Sequence, residues 1–163
     1  RLSRNKPLAT HAPSPASSKS SSVEQRNAER LILHQVSVLV GTAVVPQRLH
    51  LPGGAYVHVD GVANDESILV EVFAHQGALK SGQRHKIAQD ILKLITIARG
   101  REPTPRLILA FADPTLATWA AGKSWLAAAI AQWGIEVLVA DIDAAVRFGI
   151  RDAQARQIMI NPD

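Results

Sequence analysis

The sequence predicts an α/β protein, a mixed central β-sheet flanked by helices, and three observations lead there. Residues 56–60 (YVHVD) and 68–75 (ILVEVFAH) alternate polar and apolar side chains with the period of two that a strand imposes. Residues 106–112 (RLILAFA) and 135–140 (IEVLVA) are almost continuously apolar, the pattern of strands covered on both faces. The segments around them carry apolar residues at helical spacing. The resulting order is α-β-β-β-α-β-α-β-α without an internal repeat. Its second half, alternating strand and helix, implies parallel strands joined by helical crossovers.

Composition sets the outer limits. A chain of 163 residues suits one domain with a single core. Residues 1–22 hold Arg1, Arg4, Lys6 and Lys19 and no acid, which accounts for the whole formal charge of +4. Their serines and prolines, without an aromatic, bury too little to offset ordering entropy, so they read as a disordered basic tail or linker ahead of a domain at 23–163. The 141 residues that follow balance 14 bases against 14 acids, which removes any argument from global charge for nucleic-acid binding. A basic site must come from local clustering, such as Lys80, Arg84, Lys86 and Lys93. The absence of cysteine excludes disulfides and thiolate metal sites. No apolar run approaches the roughly 20 residues of a membrane span, and no secretory signal is evident, so a cytoplasmic setting away from membranes is expected.

Taken in order, a helix is expected from Ser22 or Val23, capped by Ser21 or Ser22 and closed by Gly41. Ala28, Leu31, Ile32, Gln35, Val36 and Leu39 form its inward stripe. Ala43–Leu51 reads as a strand that Pro46 pushes toward an edge or a bulge, and Pro52-Gly53-Gly54 turns the chain into the Tyr56 strand. The polar segment 61–67 joins that strand to 68–75 as a hairpin. Ser81 caps a helix to about Arg99 with Ile87, Ile91, Leu94, Ile95 and Ala98 inward. Gln83 extends that stripe toward the sheet, and Lys86 and Asp90, four apart, are placed to pair. After the RLILAFA strand, Asp113-Pro114 opens one helix through Trp119 and Trp125 to about Trp133, and Gly134 stops it. The IEVLVA strand follows. Asp141 or Asp143 then caps a last helix through Met159, with Val146, Ile150, Ala153 and Gln157 on one side, suited to packing on the domain or on a second copy as a homodimer.

The chemistry concentrates in the hairpin. Alternation puts Tyr56, His58 and Asp60 on one face, and Leu69, Glu71, Phe73 and His75 on one face of the next strand. Pairing of residue 60 with 69 or 71 brings Asp60 and Glu71 to the same side. Two carboxylates on adjacent strands repel, and a divalent cation is one physical reason to keep them together.

The order α-β-β-β-α-β over about residues 23–112, with Asp60 followed by Glu71 on neighbouring strands, resembles the PD-(D/E)xK nuclease superfamily. Gln83 and Lys86 resemble the Gln and basic residues that many members carry at the start of the next helix. The chain departs from the pattern at Phe73, where the family lysine would stand, and at Val59, where a proline would precede Asp60. The resemblance implies a restriction-endonuclease-like fold and a Mg²⁺-dependent phosphodiesterase acting on DNA. Asp60 and Glu71 would bind the metal, Lys86 (Lys80 second) would replace the missing lysine in polarising water, and Gln83 would orient the nucleophile or a metal ligand. Glu29 would add a third carboxylate.

Duller readings compete. Asp60 ends a strand at a turn, Glu71 pairs with Lys80 or Lys86, and the protein is a catalytically inactive nuclease-fold interaction or assembly module, a reading that Phe73 feeds. His58, His75 and His85 suggest a His–carboxylate metal site but match no compact ligand spacing. Gly122-Lys123-Ser124 imitates the end of a phosphate-binding loop, yet Ala117 replaces its first glycine and it falls within the expected helix. Trp119, Trp125 and Trp133 read as core or interface. A small-molecule-binding α/β domain would need more glycine than His75-Gln76-Gly77 offers.

Overall fold

The structure, a computed structural model, describes residues 15–160, with side chains from Val23 to Arg156. Its elements are α1 (Pro15–Val40), β1 (Val44–His50), β2 (Tyr56–Ala63), β3 (Ile68–Phe73), α2 (Ser81–Ala98), β4 (Arg106–Phe111), α3 (Pro114–Ala120), α4 (Trp125–Gln132), β5 (Glu136–Val139) and α5 (Ala144–Ile160). The five strands lie side by side in sequence order. β1–β2 and β2–β3 pair antiparallel, β3–β4 and β4–β5 parallel. The sheet is therefore mixed, and the antiparallel part is the hairpin region that the sequence marked.

Alternation in β3 and β4 builds two cores. Leu69, Phe73, Leu107, Leu109 and Phe111 face a layer made by Ile87, Ile91, Leu94 and Ile97 of α2, Leu116 of α3 and Leu126 and Ile130 of α4. Ile68, Val70, Val72, Ile108 and Ala110 face Ala28, Ile32, Leu33 and Val36 of α1 and Ile150 of α5. Each buried Leu or Ile contributes about 1.5–3 kcal/mol, so this double covering is what makes β4 apolar from Leu107 to Phe111, after the exposed Arg106.

Several boundaries differ from the expectation. α1 begins at Pro15, so Ser21 and Ser22 lie inside the helix rather than capping it, and the expected tail is helical over its last eight residues; residues 1–14 lie outside the described residues. The inward face of α1 includes Leu33, while Leu31 and Leu39 are exposed. β2 runs three residues past Asp60, so Gly61 is not a turn residue. A Cβ there would sit 2.7 Å from Leu33 Cδ2 and 3.2 Å from Val70 Cβ, and glycine is what lets α1 close on the sheet. The turn itself is tied by Asp65, whose Oδ1 accepts from the Ser67 N–H and hydroxyl.

The helix expected from Pro114 to Trp133 is two helices. Ser124 Oγ accepts the Ala127 N–H and starts α4 afresh, and a Cβ on Gly122 would press at 3.0 Å on the Trp119 carbonyl. Gly122-Lys123-Ser124 is thus the break between two helices, not part of one, and it still does not follow a strand. Asp143, through Val146 N–H, caps α5. Ile150 and Ala153 are buried as expected, and the side chain of Gln157 lies outside the described residues. Trp125 and Trp133 are exposed, which removes them from the core; Trp119 packs against it. Among the described residues no helix is long and apolar enough to cross a membrane.

Adding a methyl at the Gly61 contact should overpack the α1–sheet seam. Gly61→Ala is expected to lower stability by about 1–3 kcal/mol, with Gly61→Val worse, measured by urea unfolding against the parent.

Candidate functional site

The site begins with an irregularity. On passing from the Val45–Val62 pair to the Gln47–Val59 pair, Pro46 of β1 faces two residues of β2, Asp60 and Gly61. This is a β-bulge, and proline, with no N–H to give the ladder, is suited to stand opposite it. The extra residue reverses alternation along β2. Val57, Val59 and Val62 all join the α2-side core, and Tyr56 and His58 are left exposed. His58 therefore does not share a face with Glu71, contrary to the expectation from simple alternation.

The register Gly61–Val70, Val62–Leu69, extended by one step, sets Asp60 across from Glu71. The ladder stops before that step. Asp60 Oδ2 accepts the Val72 N–H at 2.9 Å, taking the hydrogen bond that a β2 carbonyl would have received. A side chain in place of a backbone partner parts the strands, and the site lies at this parting.

Glu71, in the middle of an otherwise apolar strand, is 2% exposed. Lys93 Nζ of α2 lies 2.7 Å from its Oε2 as an ion pair, while Oε1 has no donor among the described residues. Burial first, then the charge of Asp60, push the Glu71 carboxyl up to about 8, and Lys93 only partly opposes this. The expected ion pair with Lys80 or Lys86 is thus corrected: the partner is Lys93, which also donates to the His58 carbonyl at 2.9 Å and lies 3.8 Å from Asp90 Oδ1. Sequence reasoning named Lys93 in a basic cluster but missed it as the partner of Glu71. Its signal was the polar row Lys86, Asp90, Lys93 at i, i+4, i+7, running beside the apolar stripe that faces the sheet.

Lys86 Nζ pairs with Asp90 Oδ2 at 2.8 Å and stands 5.9 Å from the centre of the Phe73 ring. Burial works to lower its pKa, but the bond to Asp90 and the charges of Asp90, Asp60 and Glu71 outweigh it and hold the ammonium above its ordinary value. Glu29 of α1 is raised by burial, against a hydrogen bond from Gln25, and it feels both Asp60 and Lys86. The structure thus brings Glu29, Asp60, Glu71 and Lys86 within electrostatic reach of one another. Among the described residues, no three His, Asp or Glu side chains converge closely enough to form a ligand cage.

Gln83 takes a different post. Its Oε1 accepts the Lys80 N–H at 2.6 Å and so closes the start of α2, which begins one residue after Lys80 rather than after Ser81. It still lines a cavity of about 630 Å³, together with Glu29, Phe73, His75 and Lys86; Asp60 and Glu71 do not line it. The far wall is the β3–α2 connection. Gln154 of α5 grips the Gln76 backbone from both sides, at 2.9 and 3.1 Å, and Asp113 accepts the Gly77 N–H at 2.7 Å. His75 bonds the Ala78 carbonyl at 3.3 Å and burial lowers its pKa, while His85 is exposed on α2.

The arrangement can hold a cation or a proton between strands, beside a cavity open to an ammonium group. Compared with known proteins, the chain matches no family model, no curated protein and no solved structure.

The raised Glu71 pKa has a sign that can be tested. The folded state keeps a proton that the unfolded state releases above about 4.5, so stability is greatest below that value and falls as pH rises through about 8. Urea unfolding at pH 5.5 and 8.5 should show the parent losing on the order of a few kcal/mol, and Glu71→Gln should flatten that loss.

Proposed function

We infer that this protein is a divalent-metal-dependent phosphodiesterase of the nuclease type, with the restriction-endonuclease-like arrangement that its hairpin and following helix resemble, and that DNA is its substrate. The observation that carries this reading is the Asp60–Glu71 pair at the parting of β2 and β3, with Glu71 buried and its Oε1 without a donor among the described residues. Hard carboxylate oxygens fit Mg²⁺, which takes one or two of them and keeps several waters, so a third protein ligand is not required. Bound there, Mg²⁺ would supply charge stabilisation to the phosphoryl group and a more acidic water.

The chain's own groups have separable tasks. Asp60 and Glu71 hold the cation. Lys86, ionised and leaning over Phe73 into the cavity, polarises water and counters the negative charge that develops on the phosphate. Glu29, on the opposite layer, closes the polar rim, and burial raises its carboxyl above the ordinary glutamate value. Gln83 acts as a positioning residue, because it fixes the first turn of α2 from which Lys86 projects.

A second reading has its own observation. Phe73 packs edge-on against Phe111, with centroids 6.1 Å apart, and Lys93 occupies Glu71. A catalytically inactive interaction module on this fold would keep that arrangement for stability alone.

With Mg²⁺ or Mn²⁺ the parent should nick plasmid or cut oligonucleotide DNA, and EDTA should abolish it. Asp60→Ala, Glu71→Ala and Lys86→Ala are each expected to lose at least about a hundredfold, followed on gels. Equal cleavage by Glu71→Ala and parent, or none by the parent with any divalent ion, would reject the enzyme and leave the module.

A further inference from the structure

The β1–β2 ribbon carries a second cluster that the metal site does not use. Arg48 pairs across the ladder with His58, and His50 with Tyr56, and all four are exposed. Tyr56, 52% exposed, is the hub. The Arg48 guanidinium lies 4.3 Å from its ring centroid, and His50 and His58 approach it edge-on at 6.5 and 6.0 Å. From Val44 to Val59 the chain has no acidic residue, and among the described residues Arg48 has no carboxylate partner.

Cross-strand aromatic pairs stabilise hairpins, but that role does not call for an unneutralised guanidinium. A guanidinium over a ring without a carboxylate partner has N–H groups to give to a phosphate, and the exposed ring beside it can take a base. The bulge explains why these side chains stand outside: it turns Val57 and Val59 into the core and Tyr56 and His58 out.

Position ties this surface to the candidate site. His58 and Tyr56 precede Asp60 on the same strand by two and four residues, roughly 7 and 13 Å at the usual rise. Because β2 and β3 are antiparallel, the start of β2 lies at the end of the sheet where β3 finishes and the cavity opens. We propose that the outer face of the β1–β2 ribbon, through Arg48, His50, Tyr56 and His58, binds single-stranded DNA leading away from the phosphate held at Asp60 and Glu71. This rests on the phosphodiesterase reading and adds its substrate class. Unpaired bases are required because stacking on the Arg48–Tyr56 platform needs an open base face.

The test is fluorescence anisotropy of a labelled single-stranded 15-mer in EDTA, where no metal-dependent cleavage can occur. The parent should bind it more tightly than the matching duplex. Arg48→Ala/Tyr56→Ala should weaken single-strand binding at least tenfold and reduce the salt slope by about one, and Tyr56→Phe, which keeps the ring, should bind like the parent. Thermal melts by circular dichroism confirm folding of each variant. Unchanged affinity in the folded double variant, or duplex preferred over single strand, would overturn the proposal. A parent that binds the 15-mer but fails to cut it with Mg²⁺ or Mn²⁺ would sink the phosphodiesterase reading and leave the ribbon standing.

Discussion

Everything unusual in this sheet follows from one hydrogen bond, that of the Val72 N–H with the Asp60 carboxylate. A backbone carbonyl in that place would continue the β2–β3 ladder and zip the two strands together. A side chain reaches farther than a carbonyl, so the strands separate, and polar groups from both layers can meet at the gap. Glu29 stands on α1 and Lys86 on α2, on opposite sides of the sheet, yet each feels Asp60. The bulge at Asp60–Gly61 opposite Pro46 supplies the backbone freedom for this, and Gly61 lets α1 pack closely against the distorted strand.

The arrangement is costly. Glu71 sits in a strand of six buried residues, and burying a carboxyl with incomplete hydrogen bonding is among the larger penalties a fold can carry. Lys93 offsets part of it. A well-packed apolar pair in place of Glu71 and Lys93 would often be as stable or more so, so packing alone gives no reason for the pair. A buried acid with a strongly displaced pKa, beside a second acid and an open cavity, is the kind of local inconsistency that functional sites carry.

The architecture was legible because it rests on periodicity. RLILAFA announced a strand covered twice, and Ile87, Ile91 and Leu94 announced the helix above it. The Asp60–Glu71 proximity was also readable, since either plausible register gave it. What failed is what periodicity does not encode. The bulge turned His58 away from the carboxylates, and one glycine proved to be a packing residue rather than a turn. Ser124 restarted a helix inside an apolar run that looked continuous. Lys93 was noted only as one of a basic cluster, and its pairing with Glu71 was not readable because a lysine seven residues beyond Lys86 reads as surface until the helix is seen lying over the strands. Gln83 was expected to face the sheet, but a nearer unpaired N–H, that of Lys80, claimed its oxygen.

Phe73 is the residue on which the two readings divide, and its surroundings bear on both. A lysine two residues after Glu71 would emerge on the same face, under the first turns of α2. Phe73 instead fills that volume against Phe111 and places its ring beneath the Lys86 ammonium, at a distance where a cation is weakly attracted to the ring. The positive charge has not left the site; it enters from the helix, with the ring as its floor. The carboxyls of Glu29, Asp60, Glu71 and Asp90 then share this region with Lys86, Lys93 and Arg26, and Asp60 accepts the Val72 N–H at the gap. On the proposed reading, a divalent cation at the gap would supply the positive charge that lets Glu71 give up the proton that burial makes it keep.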